Sequence, residues 1–245
     1  MSNTKDFISK LTELKKNFKI YIPSAGKKVN ATQINLKQQK DIISTAVNGV
    51  VGALQFSKAI NDVIIDNVDG DTFYTFDRIP AILALRQESL GSKIKDSNGN
   101  TVSIDDYLSK ATNTPKFELT KDVSIDSINV KLKLPTLKDE NVVLKKCISE
   151  IENLKSESLS DAMGLIYIFE IIKVIESVSV DEEEVVFNDL KVADRVKIIE
   201  QLPLELYENI TNFLAQVTKY DKKILTNDES SIVVDASLFD ATVSA

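Results

Sequence analysis

Chemistry in a chain needs nucleophiles, proton carriers, metal ligands or phosphate cradles at workable spacing, and this sequence holds few of them. The stretch "IYIPSAGKKVNATQI", Ile20 to Ile34, comes nearest. A Walker loop reads G-x-x-x-x-G-K-[ST]. Its glycines let backbone N–H groups close on phosphate, and its last hydroxyl reaches the metal ion. Gly26-Lys27 supplies the central pair, but Tyr21 stands where the first glycine belongs and Lys28 replaces the hydroxyl. The same residues read better as a β-hairpin, because "KIYIP" and "KVNATQI" alternate apolar and polar positions around an "SAGK" turn.

The remaining catalytic inventory is thin. The 245 residues include no histidine and one cysteine, Cys147. Ser-His-Asp and Cys-His catalysis, imidazole bases and His-ligated zinc are thereby excluded, as is a disulfide within one chain. Cys147 lies in "VVLKKCISEIENL" at helical spacing with Leu144, Ile148 and Ile151. A buried thiol acting as a small hydrophobe is expected there, without the cationic or helix-start setting that activates one. Carboxylates offer no pair either. Asp105-Asp106, Asp194 and Glu200 fit on helix faces, yet no apolar setting or partner charge singles any two of them out. The acidic run Asp181 to Glu184 reads as a solvated loop between helices rather than as the spaced oxygen ligands of a metal site. No catalytic residue, cofactor or metal ligand is assigned, and the chain is not expected to be an enzyme.

Composition sets the class. Hydrophobic residues make up 43% and charged residues 27%, an ordinary balance for a folded chain long enough for one large domain or two small ones. A net charge of −7, with lysines only in isolated pairs such as Lys15-Lys16 and Lys145-Lys146, gives no footprint for nucleic acid. The two most apolar windows are "IISTAVNGVVGAL" and "MGLIYIFEIIKVI". The first is too short to span a bilayer and the second carries Glu170 and Lys173. Both read as buried core helices. "MSNTKDFISKL" lacks the apolar stretch and cleavage site of a signal peptide, so a reducing cytoplasm, or a particle assembled there, is the expected location.

Periodicity then places the elements. "NTKDFISKLTELKKNF" puts Phe7, Leu11 and Leu14 on one stripe of a short amphipathic helix. Lys37 to Asn67 is one long core helix, or two broken near Gly49 and Gly52. "TFDRIPAILALRQESLG" is a bounded helix, with Thr75 or Asp77 to cap it, Pro80 in its first turn and Gly91 to close it. From Ser92 to Leu137 the texture turns to short alternating runs, with "DSNGNT" as a hairpin turn. From Lys138 to about Tyr220 four segments keep helical periodicity, including "SDAMGLIYIFEIIKVIESV", with Ser160-Asp161 and Asn188-Asp189 as caps and Pro203 opening the last. The apolar "SIVVDASLF" ends the chain as a strand-like tail. The fold class expected is α+β, mainly helical, with an N-terminal β-hairpin and a β-rich insert in the middle. The expected units are residues 1–91, the insert 92–137, and a C-terminal helical block 138–245 with the terminal tail.

The order of these segments carries a resemblance. "YIPSAGKKV" is followed by "LKQQKDI", "FDRIPAILALRQESLGSKI", "SIDSINVKLKLPTL", "QLPLELYENITNFL" and "SIVVDASLFD". The series resembles the baseplate hub assembly protein family of T-even-type, contractile-tailed bacteriophages. It covers most of the chain in structural patterns rather than catalytic signatures. "KDSNGNT" and "YDKKILTNDES" hold no cysteine or histidine, so no zinc site is carried over. The resemblance implies a viral tail protein that helps hub subunits assemble, in the manner of a chaperone, or stays in the virion as a baseplate component. Its partners would be other baseplate hub or tail proteins, and its place the host cytoplasm during assembly. β-augmentation is the expected mode of contact, with Tyr21, Ile22 and Val29 of the hairpin and Ile232, Val233, Val234, Leu238 and Phe239 of the tail as partner-binding candidates. The same strands could instead pair within the monomer. A regulatory or host-directed module that holds a peptide on the same helical core is the alternative function.

Overall fold

The computed structural model describes residues 6–7, 11, 14, 16–47, 49–154, 159–181, 183–227 and 230–240. The stretch expected as the first amphipathic helix lies largely outside them; Phe7, Leu11 and Leu14 are described and are exposed. The fold is α+β, as the sequence indicates.

The hairpin forms as read. Strand β1 (Asn17–Ile22) pairs antiparallel with β2 (Lys27–Thr32), in register from Asn17 against Thr32 to Ile22 against Lys27. Alternation turns Ile20, Ile22 and Ala31 inward and leaves Lys27 and Lys28 in solvent. Gly26 sits in the turn at φ 61°, a left-handed conformation that favours glycine.

Helix α1 (Leu36–Ser44) opens with a capping box between Asn35 and Gln38. It runs through a short 3-10 turn, and α2 (Gly49–Asn67) begins at Gly49, which has φ 57°. The helix pair therefore breaks at Gly49 and continues through Gly52. Helix α3 (Arg78–Leu90) is the centre of the fold. Pro80 through Arg86 are all buried, so the helix is enclosed on every side. β1 covers one side of it and α2 another, and Gly91 closes it at φ 95°.

The middle of the chain carries the expected β structure. Strands β3 (Lys93–Lys95) and β4 (Thr101–Ser103) form a hairpin around Gly99, followed by the single-turn α4 (Ile104–Leu108). β5 (Thr120–Ile125) and β6 (Ile128–Lys133) form a second hairpin. Helix α5 (Leu137–Glu152) is capped by Thr136, whose hydroxyl accepts from the Asp139 N–H at 3.1 Å, and lies along α2.

Two elements differ from the sequence reading. The apolar run expected to continue as one helix ends α6 (Leu159–Ile172) and becomes β7 (Ile175–Val180). The acidic run expected as a loop is a turn at Asp181 followed by β8 (Glu183–Val186). Both strands join the insert's hairpin to make one antiparallel sheet in the order β5-β6-β7-β8. The reason is non-local: Val130, Leu132, Ile175 and Val178 share the buried face, and β-branched residues suit that surface. Helices α7 (Val192–Ile199) and α8 (Glu205–Leu225) complete the chain's regular elements. α8 reaches back to α3 and β5. Its Tyr220 ring meets Phe117 edge-on at 5.3 Å, and Phe117 stacks on Phe76 at 4.0 Å.

Candidate interaction surfaces

The Gly26-Lys27 turn is closed to phosphate by its own hydrogen bonds. The Ser24 N–H donates to Oδ1 of Asp77 at 2.8 Å, and the Gly26 N–H donates to the Ile22 carbonyl at 3.0 Å. A carboxylate and a main-chain carbonyl thus hold two of the donors that a phosphate loop would aim at its ligand. The other Asp77 oxygen accepts from the Tyr74 N–H at 2.8 Å, so one buried side chain ties the hairpin to the start of α3. Burial raises the Asp77 carboxyl above its usual range, and the Ser24 bonds oppose that rise. Of the three hairpin candidates, Ile22 is buried in the chain's own core, while Tyr21 and Val29 are half-buried. The Tyr21 hydroxyl lies 3.4 Å from Thr114 Oγ1.

The tail is a strap rather than a strand. Among the described residues it makes one bridge, Thr226 with Ser231, and one 3-10 turn over Ala236–Phe239. Ile232, Leu238 and Phe239 are buried against their own chain, Val234 is half-buried, and Val233 is exposed. Backbone carbonyls anchor it. The Leu238 oxygen accepts from Arg86 Nε at 3.0 Å, and the Phe239 oxygen from Gln39 Nε2 at 2.7 Å. Arg86 also donates to Gly91, so a buried guanidinium joins the middle of α3 to the strap. The docking that the sequence left open is made, for Ile232, Leu238 and Phe239, on the chain itself. A cleft of about 550 Å³ remains between the strap residues Val234 to Ser237 and the face of α2 that bears Gly52, Ala53 and Phe56.

A buried ionic cluster is the feature most like an active site. Glu140 of α5 pairs with Arg78 of α3 and, at 3.2 Å, with Lys173 at the end of α6. Asn61 of α2 donates to Glu140 at 2.9 Å and accepts from Arg78 Nε at 2.9 Å. Burial lowers the pKa of both Arg78 and Lys173. Burial also pushes the nearby Asp221 carboxyl up to about 7 against the opposing pull of Arg78. Perturbed groups of this kind mark functional sites as well as structural ion pairs. Here the groups spend their charge on one another, and Asn61 and Glu140 are sealed from solvent. The arrangement staples four helices, and its one amine, Lys173, is held between Glu140 and Glu170. Cys147 is buried nearby, and burial pushes its thiol up to about 11. No cluster of metal-ligating side chains occurs among the described residues.

One surface was not read from the sequence. Between α6, α7 and the start of α8 lies a groove of about 350 Å³ whose apolar lining includes Tyr167, Ile171, Ile199, Leu202, Leu206 and Tyr207. The Tyr167 and Tyr207 rings meet with centroids 4.8 Å apart. Leu204 stands exposed in its lining. Its residues come from three elements spread over more than forty positions. The available signal was "LPLELY", where Leu204 and Tyr207 fall off the buried stripe of Leu206, Ile210 and Phe213.

The chain belongs to the T4 bacteriophage base plate protein family, whose model matches residues 15–231. It is a structural component of the phage tail baseplate by that membership. No curated protein and no solved structure matches the chain. Among the described residues no helix is long and apolar enough to cross a membrane.

Proposed function

We propose that the protein is a non-enzymatic assembly factor or structural component of the baseplate's central hub, acting by protein–protein contacts while the tail is built in the host cytoplasm. Family membership over residues 15–231 carries the reading. The segment order that resembles hub assembly proteins supports the hub in particular. The lack of histidine, the mutually neutralised ionic cluster and the buried Cys147 support a role without catalysis. Of the partner-binding candidates, Tyr21, Val29, Val233 and Val234 keep surface available, and the outer edge of β8 offers unpaired backbone groups for an added strand. The test is genetic and biochemical together. Disrupting the gene is expected to stop tail assembly before the hub is complete, and tagged protein from infected cells to carry hub subunits with it. Complete, infectious tails from the disrupted phage would refute the role.

A further inference from the structure

The groove between α6, α7 and α8 is apolar at its floor and acidic at its rim. Leu204 is 80% exposed at its edge. Glu200 lines the groove, and exposed Glu205 and Glu208 flank Leu204 and Tyr207 along the chain. None of the ion pairs among the described residues uses these three carboxylates. The surface suits an apolar ligand that carries positive charge, as when an amphipathic helix lies in a groove.

The N-terminus of the same chain has that character. Phe7, Leu11 and Leu14 follow i, i+4, i+7 spacing and are 58%, 52% and 78% exposed. Residues 1–16 hold four lysines, Lys5, Lys10, Lys15 and Lys16, against the two acids Asp6 and Glu13. On a helix, the seven-residue step from Phe7 to Leu14 covers about 10 Å, the same rise that separates the groove residues Gly164 and Ile171 on α6. Within one copy neither surface is covered by the other, since all three apolar side chains of the stripe face solvent.

We propose that the groove binds the N-terminal segment of a second copy of this chain, with Phe7, Leu11 and Leu14 on the apolar floor and Lys5, Lys10 and Lys15 against Glu200, Glu205 and Glu208; Lys16 is paired with Glu88 at 3.1 Å within its own chain. The contact is head-to-tail. Each bound copy presents a free groove and a free segment, so association continues into a ring or an open chain. This self-contact is independent of the hub assignment and would hold for any place in the baseplate.

Sedimentation equilibrium of the full chain over a concentration series, at low and high salt, tests it. Association should rise with concentration and weaken with salt. Leu14→Asp on the segment, or Leu204→Glu at the groove, should each weaken it by on the order of tenfold or more, the scale of losing a buried interface anchor. Both positions are exposed, so each variant should keep the wild-type melting curve. An equimolar mixture of the two variants should form a one-to-one heterodimer and nothing larger, because one keeps an intact groove and the other an intact segment. A labelled peptide of residues 1–16 should bind the Leu14→Asp chain and not the Leu204→Glu chain. The proposal is overturned if the wild-type chain stays monomeric at its highest attainable concentration. It is equally overturned if association survives both substitutions or the mixture does not heterodimerise.

Discussion

Replacing Glu140 by glutamine removes one charge from the centre of the ionic cluster and nothing from its volume. The Glu140 side chain is 3% exposed, with Arg78 on one oxygen and Lys173 3.2 Å from the other. Asn61 donates to it at 2.9 Å. Without the carboxylate, two part-buried cations face one another with only Glu170 and Asp221 to offset them. Breaking a buried pair from one side costs about 3–5 kcal/mol, because the remaining charge is left desolvated. For a chain of this length that corresponds to a fall in Tm of roughly 6–20 °C. Urea unfolding at neutral pH should show the midpoint drop with m unchanged, since the surface exposed on unfolding is the same. The exposed pair Lys197–Asp194, at 3.3 Å, is the internal control. Its removal should cost about 0.5 kcal/mol or less. Replacing Asn61, Arg78, Glu140 and Lys173 together by apolar residues of similar volume should recover most of the loss. A Glu140→Gln chain within about 1 kcal/mol of wild type would show that water reaches the cluster and that the desolvation argument is wrong.

Further outcomes follow from the other buried groups. Burial pushes Asp221 up to about 7 from 3.8, so between those values the folded chain holds a proton that the unfolded chain has released. Its contribution is therefore lost as pH rises through that window. Asp221→Asn should flatten this slope and stabilise the protein above neutral pH; an unchanged slope in urea titrations across the window would refute the assignment. Phe239→Ala should cost about 3–5 kcal/mol, and deletion from Ser230 onward should lower the melting temperature, because the strap's anchors belong to the core. A truncated chain with the wild-type melt would contradict this. Cys147, with its thiol pushed up to about 11, should react with a thiol reagent only after unfolding; stoichiometric labelling of the native chain would show that the site opens.

Local chemistry was legible in the sequence where one residue decided the outcome. Gly26 and Gly99 mark their hairpin turns with φ of 61° and 82°, and Gly49 breaks the helix pair with φ of 57°. Asn188-Asp189 misled as a cap for α7: they form a 3-10 turn, and Lys191 precedes the helix with no side-chain cap. "EIIKVIESVSV" misled for another reason. Its continuous apolar run fits a buried helix or a buried strand equally, and the partner that decides, β6, lies some forty residues earlier. The candidate surfaces divide the same way. The hairpin was visible as a hairpin, but Asp77 as the group that occupies its turn was not, because that bond spans fifty-three positions. Arg86 looked like any polar residue on α3 until Leu238, 152 positions away, brought its carbonyl to the guanidinium.

These long-range polar bonds explain how the chain can be both rigid and available. Arg86 closes the strap over α3, and Glu140 ties α2, α3, α5 and the end of α6 together from inside. With the core locked by groups that point inward, the surfaces left over need no further contact to keep the monomer folded. β8 shows how one of them is kept from pairing indiscriminately. It is an edge strand with all four residues exposed, and Val185 and Val186 alone would invite any other edge. Glu183 and Glu184 precede them on the same strand, so a parallel pairing of two such edges sets like charges opposite one another, whereas the antiparallel pairing sets each glutamate against a valine. A strand bearing lysine or arginine at the matching positions meets attraction instead, in register with the same backbone bonds.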